Sequence, residues 1–401
     1  MTTLSKIYLQ RYADILIWGL KASRTKPFRK QDIVLIRYDA LATPFAEVLH
    51  ANLLQMGLNP VPRVTLSPEM EKNFYQISGP RQLIFQPPGD REFFSAIKGG
   101  IYLLAPESIT HLNQVDSLKI GKAAVARKYI RDILNQREAS GDFSWTLCML
   151  PTEEQARRAD ISLDDYTQQI VHACFLDHDN PVAEWQAIYR KSRKIQAWLN
   201  RMDVRYFHIE SEHIDLEITP GGRRKWVGVT GHNIPSFELF VSPDWRGTRG
   251  VYFANLPSYR NGNYVNDVRL EFKDGAAIHI SAGAGEPFVV NQLATDPGAN
   301  RLGEFSLTDK RFSNIDRFMA HTLFDENFGG PHGNCHVALG ASYADTYNGN
   351  PAELTPNLKK KLGFNDSAIH WDMVNTEPKR VQAHLASGRS LTIYEDGCFT
   401  Y

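Results

Sequence analysis

The sequence predicts a chain in two parts: an α/β N-terminal domain with a mainly parallel sheet, then an α+β C-terminal domain with antiparallel pairing. Three observations carry this expectation. Short β-branched runs alternate with helical stretches over the first half, strand-like segments crowd together beyond Val204, and two Asp-Gly steps join apolar runs there. The length of 401 residues suits two domains at roughly 100–200 residues each. The change of character places the division between 1–203 and 204–401.

Taken in order, the opening MTTLSKIYLQRYADILIWGL has helical periodicity, and the run DIVLIRYD (Asp32 to Asp39) follows it as the first strand. Thr43-Pro44 then opens a helical stretch that stops at Gly57. RQLIFQ near Leu83, GIYLLAP near Leu103 and FSWTLCMLP read as further strands, separated by the helical GDREFFSAIKGG and KAAVARKYIRDILNQRE. Such alternation implies parallel strands covered on both faces. Neither GxGxxG nor GxxxxGK[ST] follows any of these strands, so a nucleotide cofactor has no support. From Leu163 to Met202 two helices connect the halves, and Trp185, Ile188, Tyr189, Ile195 and Trp198 fall at the spacing of a buried stripe. Beyond them VRYFHIE, HIDLEI, KWVGVTG and FELFVSP read as strands. VRLEF and AIHIS form a hairpin through Asp274-Gly275, and SLTIYEDGCFTY forms another through Asp396-Gly397.

Composition removes several classes of partner. With 45 Lys+Arg against 45 Asp+Glu, no net field favours nucleic acid or an anionic membrane surface. The basic runs RTKPFRK, GGRRKW and NLKKKLG are short, lie near turn residues and read as solvated loops. No apolar run reaches the length of a membrane span. The first segment carries Arg11 and Asp14 and has no small-residue cleavage site, so it reads as a helix rather than a secretion signal. Cys148, Cys174, Cys335 and Cys398 form no CxxC pair or regular framework, which suits reduced thiols and a cytoplasmic location.

Polar chemistry concentrates in the second half. His336 stands where a Gly-rich loop meets the apolar run VALG. His370 and Asp372, two apart in AIHWDMV, share one face of a strand. Glu238 in SFELF and Glu304 in LGEFSL interrupt strand-like text, where a carboxylate either faces water or meets a cation. Taken singly, each has an ordinary explanation as a satisfied core histidine, a His-carboxylate hydrogen bond or a solvent-facing glutamate. Taken together, the imidazoles and carboxylates form a donor set for divalent metals. One divalent cation would leave the three carboxylates at −1, whereas two leave +1 for a shared hydroxide to neutralise, so two cations are the better match.

These segments, in this order, resemble the M29 metallopeptidases, the thermophilic aminopeptidase or aminopeptidase T family. NIPSFELF is similar to that family's N-x-P-x-x-E segment, RLGEFSL to its L-G-E segment, CHVALGASY to its H-[IV]-A-L-G-x-x-Y segment, and AIHWDMV to its H-x-D strand. The resemblance implies Glu238, Glu304, His336, His370 and Asp372 as metal ligands, Tyr343 as a catalytic residue and a C-terminal domain that carries the metal site. It implies removal of N-terminal residues from peptide substrates by a pair of zinc, cobalt or manganese ions, in a homodimer. A general base is also required; Glu304 is the first candidate and Glu326 the second. Phe237 replaces the small residue usual before the first glutamate, which would narrow the pocket. The loop FGGPHGN is longer than the common form and adds His332, read as a loop histidine rather than a ligand. Competing expectations are a metal- or peptide-binding homologue without turnover, and a two-metal hydrolase of other amides or of phosphoesters.

Overall fold

The computed structural model describes residues 3–401. Its first sheet has five parallel strands in the order Asn59–Val64, Ile33–Tyr38, Gly99–Leu104, Ser144–Met149, Asn233–Ile234. The helix Lys6–Ala22 is capped by Ser5, whose hydroxyl accepts the Tyr8 N–H, and it buries Tyr12, Ile15 and Leu16. Trp185 and Ile188 of the helix Pro181–Leu199 join the same core, as their spacing implies.

One predicted strand is displaced. RQLIFQ does not enter the sheet: Pro80–Leu83 forms a single helical turn, and Ile84 and Phe85 after it lie exposed. The strand in its place is Asn59–Val64, whose prolines Pro60 and Pro62 hide it from a propensity reading. Proline removes a backbone donor, and an outermost strand tolerates that loss.

The second half builds an eight-stranded antiparallel sheet and a separate five-stranded one. Both Asp-Gly hairpins form, with Asp274 and Gly275 at φ +50° and +82° and Asp396 and Gly397 at +50° and +75°. The smaller sheet has the order His370–Asn375, Asn334–Gly340, Leu302–Thr308, Glu238–Val241, Val227–Gly228, all antiparallel. Residues on both sides of position 203 share a core. Val229, Ile234, Phe237, Ile315, Met319, Leu323 and Phe324 pack with the N-terminal helices, so the chain crosses back between its two halves. No helix among the described residues is long and apolar enough to cross a membrane.

Candidate metal centre

The smaller sheet positions the site. Its strands pair Glu304 with Ala338 and Ala338 with Asp372, Ser306 with His336, Thr308 with Glu238, and Gly340 with His370. Cross-strand partners share a face, so all five sequence-predicted ligands lie on one side of four adjacent strands. The other side carries Leu239, Phe305, Leu307, Val337, Leu339, Trp371 and Met373, which are buried in the main core of the second half. Small residues among the ligands, Ala338, Ser306 and Gly340, leave room for the long side chains around them. A bulge between Leu302 and Glu304 leaves Gly303 outside the ladder. A side chain at Gly303 would stand 2.4 Å from the Gly340 carbonyl oxygen, so glycine is required at this close approach.

The five ligand candidates form two overlapping triplets. Glu238, Glu304 and His336 present ligand atoms within 4.8 Å of one another, and so do Glu304, His370 and Asp372. His336 Nε2 is 3.1 Å from Glu304 Oε1 and 3.2 Å from Glu238 Oε2. His370 Nε2 is 3.3 Å from Asp372 Oδ1 and 3.8 Å from Glu304 Oε2. Glu304 therefore turns one oxygen toward each histidine. Around them, His370 Nδ1 donates to the Ala341 carbonyl at 2.8 Å, which leaves Nε2 as the free donor atom. The Ser306 hydroxyl holds Glu238 Oε2 at 2.8 Å.

Electrostatics shows how crowded this face is with charge. Burial and the Glu238 charge raise Glu304 to about 7, against the pull of His336. Glu326 is held well above the usual carboxylate range by burial and by Asp372, Glu238 and Glu304. Burial works against the charge on Asp372 too, but His370, His336 and Arg260 hold it below the usual range. Burial would lower both histidines, yet their carboxylate neighbours raise them. So many acids cannot all ionise in a buried space without cations to balance them. The residues present thus fit divalent metals, with carboxylate oxygens and imidazole nitrogens converging from a shared wall.

The remaining candidates separate clearly. Tyr343 stands with its ring 4.6 Å from that of His370, and its N–H donates to Ser242 Oγ at 2.8 Å. Partial burial and the charges of Glu304 and Asp372 hold its phenol well above its usual pKa, so it remains an O–H donor. Glu326 accepts from the Asn233 and Asn327 side-chain amides at 3.1 and 3.4 Å. Its neighbour Asp325 is structural, taking the N–H groups of Met319 and His321. His332 belongs to no ligand group among the described residues. Phe237 does not narrow the site: it is buried against Trp185, ring centroids 5.3 Å apart, in the N-terminal core. Sequence reading missed Arg260, whose charge reaches Asp372. It also missed a group of two exposed residues, Glu212 and His213, with the largely buried Glu377. Neither carries a pattern recognisable along the chain.

Known proteins resemble the chain in sequence and in fold. The chain is 29% identical over 277 residues to aminopeptidase 2 of Geobacillus stearothermophilus, covering 64% of this chain and 65% of that protein. It is 29% identical over 260 residues to aminopeptidase T of Thermus aquaticus, covering 62% and 60%. These matches span less than two thirds of either relative's length. The solved structure of wild-type AmpT from Thermus thermophilus shares the fold, with a TM-score of 0.78 at 21% identity over 98% of this chain and 99% of that one. The family model of the thermophilic metalloproteases, M29, matches residues 5–399. The chain therefore belongs to the M29 metallopeptidase family.

Proposed function

We propose that this protein is a metal-dependent aminopeptidase that removes N-terminal residues from peptides with a co-catalytic pair of divalent metals. The observation that carries the reading is the pair of ligand triplets sharing Glu304 on one buried sheet face. Glu238 and His336 would serve one ion, His370 and Asp372 the other, with Glu304 common to both. Zinc, cobalt and manganese all suit such donors. When bound, the metals lower the pKa of a water and polarise the scissile carbonyl.

The protein's own groups account for the rest. Tyr343 is a protonated phenol at the rim and donates a hydrogen bond to the oxyanion that develops as the carbonyl is attacked. Glu304 lies in both triplets and would be held ionised by the cations it shares, so the carboxyl left to exchange a proton is Glu326, which belongs to neither triplet. The names of the relatives, aminopeptidases 2 and T, support this choice of reaction. The alternative of a binding homologue blocked by Phe237 loses its basis, because that ring fills the core. We also propose a cytoplasmic homodimer: the four free cysteines suit a reducing compartment, and the dimer rests on the family resemblance.

The test is hydrolysis of amino-acyl amides and N-acetylated controls by chelator-stripped protein, before and after metal is returned. The proposal expects metal-restored cleavage of the free-amine substrates alone. Equal cleavage of N-blocked substrates would reject the exopeptidase assignment.

A further inference from the structure

Arg260 is a cation beside the edge strand that carries His370 and Asp372, and the proposed chemistry has no use for it. It ends the short strand Ser258–Arg260, which pairs with Asn263–Val265. Trp371, which separates His370 from Asp372, ties this ribbon to the ligand-bearing strand. Its indole N–H donates to Ser258 Oγ at 3.1 Å, and the Arg260 guanidinium carbon stands 5.2 Å from its ring centroid. Arg260 Nε is buried without a hydrogen-bond partner, and among the described residues no carboxylate lies within 4.0 Å of the guanidinium. Burial lowers Arg260 to about 10, against the pull of Asp372, and it remains a cation at neutral pH. Arg131 stands near enough to add charge of the same sign, with its own guanidinium bonded to the Ser367 carbonyl.

Arg260 is only partly withdrawn from water: its Nε is buried, while the rest of the guanidinium is reachable and pairs with no carboxylate among the described residues. Asp372 is the nearby carboxylate that feels it, but Asp372 belongs to the metal-ligand set and makes no ion pair with it. An anion for this guanidinium would come from outside the chain. The planar fork of a guanidinium matches a carboxylate in a bidentate fashion, and a peptide substrate carries carboxylates.

We propose that Arg260 is a specificity residue that receives a carboxylate of the peptide substrate, which makes short peptides with a free C-terminus, or peptides with an acidic side chain, preferred. The inference rests on the peptidase reading of the same site. The two sources share one chemistry and separate by experiment.

The probes are non-cleavable dipeptides with a reduced peptide bond: Leu-Gly as free acid and as amide, and Leu-Glu amide beside Leu-Gln amide. Their binding to metal-loaded protein is measured by calorimetry for the wild type, Arg260→Gln and Arg260→Lys. Metal content and melting temperature are checked for each variant. KM and kcat for the cleavable parent peptides accompany them.

A charge-assisted contact should make one carboxylate-bearing member bind about tenfold or more tightly than its neutral partner. A preference in the first pair identifies the terminal carboxylate, and one in the second identifies an acidic side chain. Arg260→Gln should abolish the preference and raise KM more than it lowers kcat, while Arg260→Lys retains part of it. Equal binding within both pairs by the wild type would overturn the proposal, as would a preference unchanged in Arg260→Gln. If Arg260→Gln does not fold, the wild-type pairs and Arg260→Lys decide by the same criteria. Carboxylate preference without cleavage of any free-amine peptide would keep this role and reject the peptidase reading; cleavage without the preference would do the reverse.

Discussion

Glu238 shows what a single site residue contributes. Its Oε2 sits 3.2 Å from His336 and accepts the Ser306 hydroxyl, so its removal leaves both an imidazole and a hydroxyl facing an emptied corner. Glu238→Ala should lose bound metal and activity together, by at least about a hundredfold, since ligand loss costs more than loss of an outer partner. Metal analysis of purified protein beside an amidase assay checks this, and full metal content in the variant would remove Glu238 from the ligand set. Tyr343 makes the contrasting case, because its backbone is tied down by Ser242 while its phenol reaches the rim. Tyr343→Phe should keep the metal and lower kcat by about a hundredfold with little change in KM. His321 tests the electrostatics of a group outside the ligand set. Its Nδ1 accepts the Leu323 N–H as a helix cap, and burial lowers its pKa to about 4. The unfolded chain takes up this proton near pH 6.5, whereas the folded chain waits until about pH 4. Its contribution to stability is therefore full above pH 6.5, declines as pH falls toward 4 and is gone below. Melting curves of His321→Asn, which keeps a cap acceptor but does not titrate, should lose less stability across that window than the wild type.

At the scale of elements, the site is a property of strand register. Glu304, Ala338 and Asp372 are aligned across three strands because the bulge at Gly303 shifts the pairing just before Glu304. Gly303→Ala must push the Gly340 backbone away, so it should lower both melting temperature and metal affinity while leaving the N-terminal sheet intact. Unchanged metal affinity would mean that the bulge does not aim Glu304. This geometry explains how much of the site was legible in the sequence. The five ligand candidates lie in four short apolar segments, and the two-residue period alone put His370 and Asp372 on one face. The joining of four segments needed long-range pairing, which one-dimensional text does not contain. The mistaken strand at RQLIFQ has a local cause, since its apolar residues spend themselves on a helical turn and on exposed surface. The true edge strand, NPVPRV, was hidden by prolines that only its position at the sheet edge makes tolerable.

At the scale of the whole molecule, the parallel and antiparallel halves predicted from alternation and hairpin signals are both present. Their interpenetration was not legible. Residues 233–234 complete the first sheet, and Phe237, one residue before the ligand candidate Glu238, anchors in the N-terminal core. Phe237 looked like an obstruction because sequence order places it beside Glu238, but strand alternation turns the two in opposite directions. The metal-ligand face thus begins where the chain passes from one core to the other, and Glu326, bonded to Asn233, lies on the same crossing.

The measurement that bears most directly on the central claim is a titration of chelator-stripped protein with a single divalent metal, with bound metal per chain and cleavage of a free-amine substrate followed in the same samples. The two triplets sharing Glu304 predict binding that saturates at two ions per chain, with turnover appearing as the pair fills. Saturation at two ions without turnover, or full turnover by protein that holds no metal, would contradict the account.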